Sequence, residues 1–304
     1  MSGLSGQAEI TITKADGRQF KQVIKNDIAV GVYTQLTDQM RNSTNNYAGY
    51  IPDRLKITLS GGGTHEELFP LGPPSVAHSS TYAYVEYSLA NPAAGSEFVG
   101  TIGGYVSQVE LLDGSTQVAV ATSTGTGTGT TFTSGSNVES AHGIDSSDTV
   151  SCTYRLRFQN FAPDISEDYA VALLETVVSG GAQTDITPAQ FWLTNSDGGI
   201  IKSGSLNNNG LTVSTGGAAG SETYTVIGTV NFWTVPTEPT HFKVFTSAGG
   251  TDGQTGLIIF KSLTGEPAHV GDQNDVRLSS FDPNDDIVLP IHITLNRLTA
   301  TPID

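Results

Sequence analysis

Acidic and amide side chains gather in one short stretch near the end of the chain. Asp272 and Asp275 precede a second group that contains Asp282 and Asp285. Carboxylate and amide oxygens at this density are ligands that Ca²⁺ prefers. The alternative is that these residues form turns, because Asp and Asn side chains hydrogen-bond to nearby backbone and tolerate left-handed conformations. The turn is favoured by residues 145–148, where a similar but less acidic stretch occurs.

Four aromatic residues suggest a second kind of chemistry, the stacking of planar rings on sugars. Tyr82 and Tyr84 are two residues apart and therefore share one face of a predicted strand. Trp192 and Trp233 are the two tryptophans of the chain. Exposed, these rings could bind glycans as in lectin-like domains. Packing in the core is the alternative for all four side chains.

The remaining reactive residue types form no catalytic pattern. His65 is followed by two glutamates but lacks the second histidine of a zinc-protease motif. The sequence contains neither a Gly-x-Ser-x-Gly nucleophile elbow nor a Walker phosphate loop. Its single cysteine, Cys152, excludes an intrachain disulfide, and the alternating context predicts a small buried side chain. We therefore predict no enzymatic activity and no cofactor other than the candidate calcium.

The charge balance excludes several kinds of partner. The formal net charge is −16, from 14 basic and 30 acidic residues. Such a surface repels phosphate backbones and anionic lipid, so we predict no direct binding of nucleic acid. No stretch approaches the roughly 20 apolar residues of a membrane helix, which predicts no membrane insertion. The first residues lack the basic and apolar segments of a signal peptide, so we expect synthesis and folding in a cytoplasm.

The elements that would position these residues occur twice. Residues 54–63 and 190–199 share a frame at an offset of 136 (190 − 54). Residues 145–158 and 282–295 each place an Asp-x-x-Asp turn before a strand, at an offset of 137 (282 − 145). We predict two similar domains, 1–162 and 163–304. A repeated catalytic site is rare, whereas a repeated scaffold is common, so the duplication favours a structural role.

Each predicted domain opens with a helix. Apolar residues at a spacing of four predict the first one, with Asn26 as its N-cap: Ile28, Val32, Leu36 and Met40. The second helix has Ser166 as its cap and this apolar face: Ala170, Leu173, Leu174, Val177 and Val178. We expect both helices to cover an open end or face of a sandwich.

Short alternating runs between Gly-, Asn-, Pro- and Asp-rich turns predict the strands. In the first half they span residues 8–13, 20–24, 54–59, 81–89, 97–102, 105–112, 116–123 and 148–158. In the second they span residues 190–194, 199–206, 221–232, 241–246, 256–262, 275–280 and 286–296. Because no βαβ alternation occurs, the pattern predicts an all-β chain of two tandem antiparallel β-sandwiches of jelly-roll-like type.

Two segments are predicted as loops, residues 122–131 and 207–221. The first consists of glycine, threonine and serine, and alone it cannot bury enough apolar surface to offset its chain entropy. We expect it to extend as a flexible excursion, or to order by edge pairing against neighbouring copies. This second possibility predicts a homo-oligomer, with a trimer as the expected form.

Two stretches of the first half resemble structural proteins of tailed bacteriophages. They are residues 103–114 and 148–158, taken together with the helix that precedes them. The resemblance covers residues 26–158 and, more faintly, 165–298; in the second half, residues 240–246 depart from it and Pro290 interrupts the closing strand. It implies a location in the virion, as a tail-fibre, baseplate or head-attached part, and other virion proteins as partners. It implies no catalytic residues.

Two alternatives remain open at this point. Two tandem β-units in one chain also resemble the double jelly-roll major capsid proteins of icosahedral viruses, although a helix at the start of each unit speaks against them. A carbohydrate-binding module for host adhesion is the other alternative, with Trp192, Trp233, Tyr82 and Tyr84 as its candidate residues.

Overall fold

The fold is all-β, which confirms the class predicted from the sequence. The computed structural model describes residues 3–41, 50–69, 76–79, 82–89, 92–123, 130–133, 143–159, 167–178, 186–195, 197, 199–239, 241–246, 258–263 and 281–297. These residues form seventeen strands and three helices. None of these helices is long and apolar enough to cross a membrane.

Ten strands belong to the first half of the chain and seven to the second. The first ten are β1 (Gly3–Thr13), β2 (Gln19–Ile28), β3 (Arg54–Leu59), β4 (Thr64–Leu68), β5 (Ala77–Ser79), β6 (Tyr82–Leu89), β7 (Val106–Asp113), β8 (Thr116–Thr122), β9 (Thr130–Thr133) and β10 (Thr149–Gln159). The others are β11 (Pro188–Thr194), β12 (Ile200–Leu206), β13 (Thr212–Gly216), β14 (Thr223–Val235), β15 (His241–Thr246), β16 (Ile258–Leu263) and β17 (Asp285–Arg297). The helices are α1 (Val30–Arg41), α2 (Ala94–Glu97) and α3 (Glu167–Val178).

The strands of the first half follow one antiparallel order, β4-β3-β7-β8-β2-β1-β10-β6-β5. The β1–β2 hairpin turns at Asp16-Gly17, a dipeptide typical of tight hairpin turns. Gly17 has a φ of 85° and its N–H donates to the carbonyl of Lys14. A positive φ at this point favours glycine, which has no Cβ to crowd the carbonyl oxygen that follows it.

The strands of the second half follow the order β16-β15-β11-β12-β14-β17. Strand β13 and the end of β12 both pair with the same edge of β14. Strand β12 changes partner along its length. Gly204 still pairs with Phe191 of β11, while Ser205 already pairs with Asn231 of β14. Strands that switch sheets in this way make the corners of β-sandwiches.

The two halves repeat the same pairings. The order β4-β3-β7-β8 recurs as β12-β11-β15-β16, and the order β5-β6-β10 recurs as β13-β14-β17. Helices α1 and α3 have twelve residues each, and their ends are 137 residues apart (167 − 30 and 178 − 41). Matching pairings do not by themselves make two domains, and the boundary at residue 162 stays a prediction.

Each long helix packs against the other half of the chain. Helix α1 lies against β13 and β14, whereas α3 lies against β6 and β10. The ring of Tyr33 on α1 stacks on Tyr224 of β14, with centroids 5.0 Å apart and planes 9° apart. The Tyr33 hydroxyl donates to the carbonyl of Leu4, and Thr187 donates to the carbonyl of Gln39 at 2.7 Å. Buried side chains of both halves therefore form one continuous core.

The structure differs from the predicted elements at several places, among them the predicted loop 207–221, in which Thr212–Gly216 form β13 because they pair with β14. Asn26 does not cap α1, because β2 continues through Ile28 and the helix begins only at Val30. Residues 97–102 do not form a strand; α2 ends at Glu97, and Val99 makes an isolated bridge to Thr64. Ser166 and the predicted strand 275–280 lie outside the described residues.

Strands β8 and β9, which flank the predicted loop 122–131, pair with the same edge of β2. Asn26 pairs with Ala121 on β8, and Ile24 pairs with Thr130 on β9. The end of the predicted loop therefore pairs with its own chain, and a neighbouring copy is not needed to order that part. Residues 124–129 lie outside the described residues.

Candidate binding site

The carboxylates of Asp282 and Asp285 belong to a turn. The backbone N–H of Asp282 donates to Oδ2 of Asp285 at 2.9 Å, and the N–H of Asp285 donates to the carbonyl of Asp282 at 3.0 Å. Asp145 and Asp148 make the same two bonds, at 2.9 and 3.2 Å. Asp282 and Asp285 therefore act as turn residues, the alternative to calcium binding, because the Asp285 carboxylate already accepts a hydrogen bond from the backbone.

The other calcium candidates, Asp272 and Asp275, lie outside the described residues. Within the part of the chain that the structure describes, no group of three or more His, Cys, Asp or Glu side chains could hold a metal ion. A calcium site across the two aspartate groups stays a prediction.

Tyr82 and Tyr84 share one face of β6, as their spacing predicts. Both are half-buried, with ring centroids 5.8 Å apart and planes tilted by 45°. The Arg157 guanidinium lies 4.1 Å from the centroid of Tyr82 and covers one face of that ring. Burial lowers the pKa of Arg157. A sugar would have to displace this cation to stack on the same face.

Trp192 is a core residue and not an exposed platform. It is 9% exposed, and its ring packs against Phe245 with centroids 5.1 Å apart. The core-packing alternative therefore describes Trp192. His65 is also buried, with Nδ1 at 3.1 Å from the carbonyl oxygen of Glu97.

Trp233, in contrast, is 56% exposed. Along β14 the residues alternate between the core and the outer face as far as the fully buried Phe232. Trp233 and Thr234 are then both exposed, and they stand together opposite Asp286 on β17. Two residues opposite one define a β-bulge, a feature that re-aims side chains next to binding sites.

The bulge holds Thr234 in a left-handed conformation, with a φ of 53°. This conformation costs a residue with a Cβ roughly 1–2 kcal/mol, and it is a clear outlier for a β-branched side chain. The Thr234 N–H donates to Oδ1 of Asp286 at 2.7 Å, so the carboxylate on the neighbouring strand fixes the bulge. Strain of this kind tends to persist at functional sites.

The turn after β12 lies beside Trp233. Gly210 has a φ of 61° and donates its N–H to the carbonyl of Asn207 at 2.9 Å. The Asn207 side-chain oxygen accepts the N–H of Asn209 at 2.8 Å, which closes the turn locally. A Cβ on Gly228 would lie 2.6 Å from the Cδ2 methyl group of Leu211, so the glycine leaves room for the Leu211 side chain against β14.

These elements line an open groove with a volume of about 310 Å³, which we call the Trp233 groove. Trp233 forms one side of it, and the rest of the lining is Ser205, Leu206, Asn207, Asn208, Asn209 and Asn231. None of these residues is ionisable. Its volume is at the lower end of the range of ligand-binding pockets.

Comparisons with protein-family models, with curated proteins and with solved structures gave no match. The interpretation of the site therefore depends on its own geometry. The sequence indicates Trp233 as a candidate binding residue but predicts residues 207–221 only as a loop. Their approach to Trp233 depends on the pairing of β12 with β14, which no local pattern in the sequence specifies.

Proposed function

We propose that this protein is a non-catalytic structural protein of a virus particle, of the kind found in bacteriophage heads and tails. The observation that supports this proposal is the duplicated scaffold, in which both halves repeat the same strand pairings around one core. A duplicated β-scaffold offers two similar surfaces for contacts with neighbouring subunits. The net charge of −16 favours solubility at the high concentrations that assembly requires.

The proposed assembly is a homo-oligomer, with a trimer as the expected form. A trimer would have a mass of about 95 kDa, three times the 31.8 kDa chain. Native mass spectrometry across a range of concentrations tests this directly. A chain that stays monomeric at every concentration would contradict the proposed trimer.

Electron microscopy of the assembled protein separates the candidate particle parts. Pseudo-hexagonal trimers that tile into shells would favour a double jelly-roll capsid protein, whereas rings, spikes or fibres would favour a tail or head-attached part. Immunogold labelling of purified virions then locates the protein in the particle. Absence of the protein from purified particles would overturn the virion proposal.

A further inference from the structure

The fold does not require an aromatic side chain at position 233. Leu89 on β6 pairs with Cys152, and Val230 on β14 pairs with Leu289. These two partners are 137 residues apart (289 − 152), the same offset as between the two aspartate turns. Strand β6 ends at Leu89, whereas β14 continues for five residues beyond Val230 and carries Trp233. The first half thus builds the corresponding strand pairing without an aromatic side chain at this place. Large apolar side chains left in solvent beside a concave surface are typical of binding sites.

We infer that the Trp233 groove is a binding site for a neutral carbohydrate. The inference goes beyond the proposed virion role and does not depend on it. An indole ring offers a flat apolar face to the C–H face of a sugar ring, while its N–H remains available as a donor. The groove thereby combines an apolar platform with polar walls, as sugars require.

The polar walls match hydroxyl groups. A carboxamide both donates and accepts hydrogen bonds, as a hydroxyl does. The side chains of Asn208, Asn209 and Asn231 make no hydrogen bond to any part of the chain that the structure describes. Asn231 lies two residues before Trp233 and therefore on the same outer face of β14, directly opposite Ser205. Ring and amides thus face one space.

The absence of ionisable groups from the lining selects a neutral ligand. Among the described residues, no lysine or arginine lines the groove to pair with the carboxylate of an acidic sugar or with a phosphate. The protein as a whole carries a net charge of −16, which repels anions further. Neutral hexoses, N-acetylhexosamines and their short oligomers remain as the chemical class.

The walls are fixed before a ligand arrives. The Asp286 carboxylate holds the bulge next to Trp233, and the Asn207 side chain closes the turn on the other side. Gly204 forms the corner at which β12 joins β14, where a Cβ would lie 2.5 Å from the ring of Phe232. A site that is ordered in advance loses less conformational entropy on binding.

Titration of the full chain with neutral sugars tests the inference. The panel is glucose, galactose, mannose, N-acetylglucosamine and their short oligomers, with sialic acid, phosphate and an unrelated extended peptide as comparisons. Because Trp192 is buried and Trp233 exposed, acrylamide quenching of tryptophan fluorescence reports mainly on Trp233. We expect at least one neutral sugar to protect this fluorescence in a saturable manner.

Calorimetry of variants then assigns the binding to the groove. We expect Trp233→Ala to weaken binding about tenfold or more and Asn231→Ala to weaken it several-fold, while Trp233→Phe retains part of the affinity. The matched control is Leu68→Ala, which removes another exposed apolar side chain (62% exposed) outside the groove and should leave binding unchanged. Circular dichroism verifies that each variant is folded.

Three results would overturn the inference. They are the failure of every neutral sugar to bind, binding that is equal in wild type and Trp233→Ala, and protection of Trp233 by the peptide or an anion but by no neutral sugar. Each can be obtained whether or not the protein is found in a virion, so failure here and failure of the proposed function are distinguishable.

Discussion

The two aspartate turns have the same backbone hydrogen bonds but different surroundings. Asp148 is 1% exposed, and its carboxylate accepts both the N–H of Asp145 and the ammonium of Lys14, whose Nζ lies at 2.6 Å. Lys14 also donates to the carbonyl of Gly143. Asp285, the counterpart in the second half, is exposed. The same turn residue is therefore part of a buried ion pair in one half and of a solvated turn in the other.

This difference predicts unequal effects of the same substitution. Asp148→Asn keeps an acceptor for the turn but leaves the Lys14 ammonium without its counter-charge, and we expect it to lower the free energy of unfolding by about 3 kcal/mol. Asp285→Asn, the matched control, should change it by less than about 0.5 kcal/mol. Urea denaturation at pH 7 measures both. Equal effects of the two substitutions would contradict the burial argument.

Among the elements, those that depend on local patterns were predictable from the sequence. The alternation at residues 54–59 and the apolar spacing of α3 correspond closely to the observed strand and helix. The strand predicted at 97–102 fails because Val99 pairs only through an isolated bridge, which depends on Thr64 and not on local propensity. The bulge at Trp233 could not be predicted from the sequence either, because it arises from the register of β14 against β17.

The corner in β12 provides a test of element geometry. Gly204→Ala would place a methyl group 2.5 Å from Cε1 of Phe232 and 2.6 Å from Cγ1 of Val230. Because both neighbours are fully buried, we expect a loss of about 1–3 kcal/mol in the free energy of unfolding. Gly216→Ala is the control: its Cβ would meet only Thr223 at 3.4 Å, and stability should stay level or rise slightly. Chemical denaturation of both variants decides the matter.

A cluster of ion pairs around Arg297, which we call the clasp, connects three segments of the chain. Arg297 on β17 pairs with Glu222, just before β14, at 2.8 Å, and also with Asp27 on β2. The hydrogen bond from Arg297 lowers the pKa of Glu222 below its ordinary value. A lowered carboxyl pKa stabilises the folded state above the unfolded-state value, roughly 4.3, and this contribution is lost as pH falls through the folded-state pKa.

The clasp therefore predicts a pH-dependent effect of Glu222→Gln. We expect the variant to have a lower urea midpoint than wild type at pH 7, and the difference to shrink as the pH falls through the lowered folded-state pKa of Glu222. Glu238→Gln, at an exposed glutamate, is the control and should show no such dependence. A midpoint difference for Glu222→Gln that stays constant from pH 7 down to the acid limit of folding would show that the clasp acts through packing.

At the scale of the whole molecule, the exchange of helices between halves could not be predicted from the sequence. An amphipathic helix has the same apolar spacing whichever sheet it covers, so the face of α1 predicts burial but not a partner. The choice of partner depends on contacts between residues far apart in the chain, such as Tyr33 with Tyr224 and Thr187 with Gln39. The duplication was visible as an offset of 136 to 137 residues, whereas the shared core was not.

The shared core predicts that neither half folds alone. Cutting the chain between β10 and α3 removes α3 from the sheet of the first half and α1 from the sheet of the second. Helix α3 alone buries four large aliphatic side chains: Leu173, Leu174, Val177 and Val178. Burial of these side chains is worth about as much as the net stability of a typical domain, roughly 5–15 kcal/mol.

We expect the full chain to melt in one transition, with calorimetric and van't Hoff enthalpies that agree. Residues 1–162 and 163–304, produced separately, should lack a cooperative melt, and co-expression of the two pieces should restore it because each then recovers its covering helix. The control is the intact chain with Leu68→Ala, whose exposed side chain lies outside the core and should leave the single transition in place. Either piece melting alone at the temperature of the full chain would mean that its sheet needs no helix from the other half, and that the halves are independent domains.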